Sequence, residues 1–150
     1  MDSIPQLELD NQLCFALYNA SRAMVRAYGP LLGELELTYP QYLTMLVLWE
    51  ADSPLSVGAI GDRLHLDSST LTPLLKRLEH LTLLQRERDP SDERRVLITL
   101  TEAGRALRER AAQIPFQIAP RFGLDARAAQ QLRQSLNNVV DALNGSHPAG

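Results

Sequence analysis

The stretch from Pro54 to Thr101, PLSVGAIGDRLHLDSSTLTPLLKRLEHLTLLQRERDPSDERRVLITLT, limits the folds open to this chain more than any other. Ser56 is a good helix N-cap, and Ile60 and Leu64 follow at i,i+4 spacing on a short helix. Asp67 caps a second helix whose Leu71, Leu74, Leu75 and Leu78 form one apolar stripe. Only a short turn around His65-Leu66 separates the two, so the pair reads as a helix-turn-helix. Leu84 to Arg88 and Arg95 to Leu100 then flank the turn-rich Asp89-Pro90-Ser91-Asp92, which predicts a hairpin. Val96, Ile98 and Leu100 alternate in the second run, so one face packs on the helices and the other is wet. A hairpin straight after a helix-turn-helix is a wing, and the whole stretch reads as a winged DNA reader.

The face of the second helix opposite its leucines carries Ser69, Thr72, Pro73, Lys76 and Arg77, with Ser68 and Thr70 at its margins. Short hydroxyls near a helix N-terminus, followed a turn later by cations, suit a helix lying in the major groove. The same residue types also dress any solvated helix. Pro73 breaks the helical rule and predicts a kink or a late helix start.

Charge alone would not lead to nucleic acid. The chain carries a formal net charge of −3, and from Lys76 to Arg95 six Lys/Arg face five Asp/Glu. DNA contact must come from a few placed cations, Arg86, Arg94 and Arg95 of the hairpin among them, doubled in a dimer. With 150 residues the chain has the length of one domain and enough to bury a core. The N-terminus lacks a signal peptide, and the longest apolar run, Tyr42 to Trp49, is too short to span a bilayer. The expectation is a cytoplasmic protein with no membrane partner. The single cysteine, Cys14, excludes an intrachain disulfide framework and a cysteine-rich zinc site. His65, His80 and His147 show no ligand spacing, and no cofactor or metal motif is present.

Outside the reading head, Leu9 to about Tyr28 reads as a long helix interrupted by Gly29-Pro30. Tyr39-Pro40 opens another, with proline at its first position, running to about Ala51. Thr101 caps a helix to about Ala112 that Pro115 ends, and Asp125 caps a last one carrying Leu132, Leu136, Val139, Val140 and Leu143. A Gly/Ser/Pro tail follows. The first and last helices, about 7–36 and 115–144, carry apolar stripes that the reading head at about 54–101 does not need. Stripes left over at both ends predict a homodimer, although folding back on their own domain would also cover them. The predicted architecture is therefore mainly α with a small β-wing, one domain over 1–150.

This order of elements resembles the MarR family of dimeric transcriptional regulators. Asp89-Pro90-Ser91-Asp92-Glu93-Arg94-Arg95-Val96-Leu97 is similar to that family's wing pattern D-P-x-D-x-R-x-V-L. Within the family, LDNQLCFALY (Leu9 to Tyr18), LTYPQYLTMLVLWE (Leu37 to Glu50) and LDSSTLTPLLKRLE (Leu66 to Glu79) look like the organic hydroperoxide resistance regulators. The resemblance covers nearly the whole chain and weakens after about Pro115. It implies that Cys14 senses peroxide, that the hydroxyls of Tyr28 and Tyr39 reach its sulfur from the other subunit, and that Tyr18 joins the site. It implies recognition-helix contacts from Ser68, Ser69, Thr70, Thr72 and Lys76, and an Arg94 that enters the minor groove braced by Asp92. The implied partners are pseudo-palindromic double-stranded operator DNA, a second copy, an organic hydroperoxide and a small thiol that caps Cys14.

The chemistry holds on its own terms. A thiolate attacks the peroxide oxygen, phenols stabilise it, and a sulfenic acid results. Apolar surroundings from Phe15, Leu17, Met45 and Trp49 favour an organic hydroperoxide over hydrogen peroxide. Some members of the subgroup carry a second cysteine that closes an intersubunit disulfide; this chain does not, which leaves a mixed disulfide or overoxidation. Two other readings compete: a regulator of the same family released by a small aromatic ligand, with Cys14 a bystander, and a one-cysteine thiol peroxidase. Nothing beyond Cys14 supports an enzyme, and a winged reader would be unexplained on one.

Overall fold

Side-chain caps decide where most helices of this chain begin. The computed structural model describes residues 1–51 and 53–145, so His147 and the tail after Gly145 lie outside the described residues. The helices are α1 (Leu13–Gly33), α2 (Tyr39–Glu50), α3 (Val57–Leu64), α4 (Ser68–His80), α5 (Glu102–Ala111), α6 (Ile114–Ile118) and α7 (Ala126–Gly145). Ser56, Asp67 and Thr101 each accept a backbone N–H bond at the start of α3, α4 and α5, and Asp125 accepts from Ala128 N–H at the start of α7. Each such cap is worth about 1 kcal/mol. Thr38 caps α2 and forms a reciprocal box with Gln41, which puts Pro40 at the second helical position rather than the first.

Two expectations about α1 are corrected. It starts at Leu13, not Leu9, because two 3-10 turns (Pro5–Leu7 and Leu9–Asn11) precede it. Side-chain amides lock those turns: Asn11 donates to the Pro5 carbonyl, and Gln12 to those of Gln6 and Glu8. The helix also runs on through Gly29-Pro30 to Gly33. Proline costs a helical hydrogen bond there, but Leu32 behind it is buried in the core with Leu35, and tertiary packing overrides the local preference. For the same reason α4 contains Pro73 without a late start, since Leu71, Leu75 and Leu78 are fully buried on the other face and Pro73 is exposed. Pro115 does not simply end a helix either; it sits at the second position of α6.

The sheet has three antiparallel strands in the order β1 (Leu55–Ser56), β3 (Asp92–Leu100), β2 (Leu84–Asp89). Leu84 pairs with Leu100 and Arg88 with Val96, and a register shift follows before Asp89 meets Asp92 at the tip. The wing strands thus reach the tip residues themselves, further than the alternating run alone indicated. β1, which no sequence pattern marks, pairs Leu55 with Ile98 and Ser56 with Leu97 and ties the entry of α3 to the wing.

The chain falls into two compact units, Met1–Ile114 and a second beginning at Pro115. In the first, Met45, Ile60, Leu71, Leu75, Leu78, Leu84 and Ile98 form the fully buried centre of one core. Gly61 is required by a close approach: a Cβ there would stand 2.5 Å from the Leu66 carbonyl oxygen, whose residue closes the helix-turn-helix turn. In the second unit, Leu132, Leu136, Val140 and Leu143 of α7 are exposed. Among the described residues no helix is long and apolar enough to cross a membrane.

Candidate nucleic-acid interface and redox centre

Helix α4 presents Ser68, Ser69, Thr70, Lys76 and Arg77 exposed and Thr72 half-buried, opposite its buried leucines. Asp67 organises the leading turn: one carboxyl oxygen accepts from the Ser69 hydroxyl and the Thr70 N–H, both at 2.8 Å. These bonds hold the Asp67 carboxyl below the usual range, the Ser69 hydroxyl contributing most. Pro73 supplies no N–H, so the helical partner of the Ser69 carbonyl is missing on the exposed face.

At the wing tip Arg94 is 89 % exposed and held by Asp92, which accepts from Nε at 3.1 Å and from Nη2 at 3.3 Å. The Arg94 side-chain bond keeps the Asp92 carboxyl ionised below its usual range. The fork therefore leaves the hairpin with its cation projecting and its direction fixed. Arg95 lies 3.6 Å from the mostly buried carboxylate of Asp89, which also accepts from Ser91 N–H and shapes the tip.

Cys14 stands exposed on the first turn of α1. One turn on, Tyr18 is 62 % exposed, with the Arg22 guanidinium 5.4 Å above its ring. Phe15 is exposed too, while Met45 is fully buried in α2. Tyr28 and Tyr39, from α1 and α2, are half-buried with ring centroids 4.8 Å apart. Burial, with the nearby Tyr39 and Tyr42 adding to it, pushes the Tyr28 hydroxyl up to about 12; burial raises Tyr39 also. Both are protonated donors at neutral pH. Cys14 and Tyr28 are separated by fourteen residues of α1, about 21 Å at 1.5 Å per residue. No rotamer bridges that, so the phenols of one copy cannot serve its own thiol.

A family model described as transcriptional regulator SarA/Rot matches residues 26–110. The organic hydroperoxide resistance transcriptional regulator of Bacillus subtilis (strain 168) is 47% identical over 141 residues, covering 94% of this chain and 93% of its own. The chain belongs to the MarR/SarA-type family of winged-helix transcriptional regulators. Among solved structures, reduced AbfR bound to DNA, a Staphylococcus epidermidis protein, is 38% identical. The alignment covers 92% of this chain and 96% of that one, with a TM-score of 0.77. Overoxidised AbfR bound to DNA is 40% identical over 89% and 96%, with a TM-score of 0.72. The regulator is thus a DNA-binding protein.

Two expected site residues of the regulator are engaged elsewhere within the chain. Arg86 is no free cation: its backbone N–H and its guanidinium both donate to Glu79 at 3.1 Å, a brace between β2 and the end of α4. Trp49 does not line a pocket with the tyrosines. Its indole N–H donates to the Gly104 carbonyl at 2.8 Å, and its ring faces a groove with Ile98, Leu100 and Arg105, at the opposite end of α2 from Tyr39. Sequence reasoning missed Glu79, whose partner is distant in the chain, and Tyr42, whose i,i+3 spacing from Tyr39 was the available signal.

Proposed function

We propose that this regulator is a peroxide-sensing repressor: a homodimer that holds operator DNA while Cys14 is reduced and releases it after an organic hydroperoxide oxidises Cys14. The observation that carries the reading is an exposed lone thiol about 21 Å up a rigid helix from a pair of protonated phenols, a site that only a second copy can complete. The exposed apolar residues Leu13, Phe15 and Val25 of α1, and Leu132, Leu136 and Leu143 of α7, support such pairing. The name of the Bacillus subtilis relative supports the class of oxidant.

The step is a two-electron oxidation of sulfur. The Cys14 thiolate attacks one peroxide oxygen; an S–O bond forms, the O–O bond breaks, and the alcohol leaves with a proton. Hydrogen-bond donors are needed only to hold the anionic sulfur and the departing oxygen, and the phenol O–H groups of Tyr28 and Tyr39 of the second copy supply them, with Tyr18 beside the thiol. A cytoplasmic small thiol then forms an S–S bond and releases water. Because overoxidised AbfR was solved bound to DNA, the adduct rather than the sulfinic acid is the releasing form we assign to this chain. On the DNA side, Ser68, Ser69, Thr70, Thr72, Lys76 and Arg77 contact the major groove, Arg95 a phosphate, and Arg94, set by Asp92, the minor groove.

Operator binding by fluorescence anisotropy tests this, before and after one equivalent of cumene hydroperoxide plus a small thiol, with Cys14→Ser alongside. Wild type releases and Cys14→Ser stays bound. Release of both would move sensing away from Cys14 and favour a ligand-responsive regulator.

A further inference from the structure

Tyr28 and Tyr39 are not a pair but two corners of a triangle. Tyr42 completes it, with centroids 5.8 Å from Tyr28 and 6.3 Å from Tyr39 and planes tilted by 42° and 43°. All three separations lie in the range where tilted rings attract. The corners differ in burial. Tyr28 and Tyr39 are half-exposed, whereas Tyr42 is only 3% exposed and cannot reach a group outside the chain. Charge on Tyr39 or Tyr42 raises Tyr28 further, so the oxygen-bearing ends of the rings lie within electrostatic reach of one another.

Tyr28 needs side support more than most helical residues. It directly precedes Gly29-Pro30, where Pro30 cannot donate the next helical hydrogen bond and Gly29 adds no side chain. Ring packing must supply what the backbone lacks. We propose that Tyr42 is the positioning residue of the sensing site: its buried ring backs Tyr28 and Tyr39 from the third corner of the triangle and fixes the angle at which their hydroxyls meet the Cys14 sulfur of a second copy. This rests on the peroxide-sensing reading. Tyr42 touches neither sulfur nor peroxide; it acts through Tyr28 and Tyr39 on the step that makes sulfenic acid and alcohol.

The test is the rate of Cys14 oxidation by cumene hydroperoxide, followed as thiol loss in the full-length protein, for Tyr42→Leu and for Tyr42→Met, two aliphatic replacements of similar volume and different shape. Each is made in the wild-type background and in a Tyr28→Phe/Tyr39→Phe background. Oxidation slows about tenfold in the first background and is unchanged in the second, because there are no hydroxyls left to aim. Ultraviolet titration adds an independent readout: without the Tyr42 ring, the Tyr28 phenol, pushed up by burial and by its neighbouring phenols, moves towards its ordinary value. A folded, operator-binding Tyr42 variant that oxidises at the wild-type rate overturns the proposal, as does an equal slowing in both backgrounds, which a merely structural role would give. A wild-type Cys14 that does not react would remove the sensing reading itself, a result visible before any Tyr42 variant is made.

Discussion

The reading head and the start of α1 obey opposite rules. Between Ser56 and Thr101 every leucine but Leu81 is buried or half-buried, the helix starts are capped, and the charged groups at the joints are paired within the chain. Between Leu9 and Val25 most large apolar groups face out: Leu9, Leu13, Phe15, Tyr18 and Val25 are exposed, and Cys14 with them, while Leu17 and Met24 are half-buried. The first region is complete in one copy and the second is not. On the proposed reading, a chain that finishes its reader and leaves its sensor unfinished would make sensing depend on assembly, with the chemistry on the surface where assembly is decided.

The sharpest way to break that contrast is to truncate one leucine in each region. Leu75→Ala empties a fully buried position and should cost about 2–5 kcal/mol, read as a lower urea midpoint at every protein concentration. Leu13→Ala removes a side chain that is 69% exposed and should act instead by weakening the dimer in sedimentation, with a stability loss that fades on dilution. A concentration-independent loss in Leu13→Ala would mean that α1 is finished within its own copy.

A smaller effect sharpens the picture of the reader. Arg94→Ala should weaken operator binding roughly tenfold or more, with the urea midpoint at neutral pH little changed, because the guanidinium projects from the tip and bonds the neighbouring Asp92 at the surface rather than the core. Asp92→Asn should lose part of that affinity by freeing the fork it holds. If Arg94→Ala unfolds the wing instead, the tip is structural.

The smallest effect is on acid stability. Asp67, Glu79 and Asp92 are all held below their ordinary values of 3.8, 4.5 and 3.8 by the bonds from Ser69, Arg86 and Arg94. A depressed folded-state value contributes stability that is present above the ordinary value and lost as pH falls through the depressed one. The urea midpoint should therefore drop below about pH 4.5, and Glu79→Gln should flatten part of that drop. Identical acid profiles for both proteins would show that the α4–β2 brace contributes nothing.

What was legible in the sequence was mostly local. Ser56, Asp67, Thr101 and Asp125 are caps because a side chain reaches a backbone group three residues on, and such signals need no tertiary knowledge. The wing followed from alternation and turn chemistry. The misses depend on contacts that no local repeat or cap signal marks. β1 exists only because β3 is there to pair with it. Pro30 stays helical because tertiary packing, Leu32 in the core included, overrides the local preference. Arg86 looked like a DNA contact because Glu79 is seven residues away, across a helix end. Of the redox centre, Cys14 stood out as the lone thiol, while Tyr42 on an apolar helix looked like any core aromatic.

If a second copy completes the site as proposed, the length of helix between Cys14 and Tyr28 has a genetic consequence. Two damaged alleles, one lacking the thiol and one lacking the phenols, would each pair with themselves to give a blind repressor. Paired with each other, they would place an intact Cys14 opposite intact Tyr28 and Tyr39 at one of the two sites. Blindness in this protein would thus be a property of the pairing rather than of either gene product.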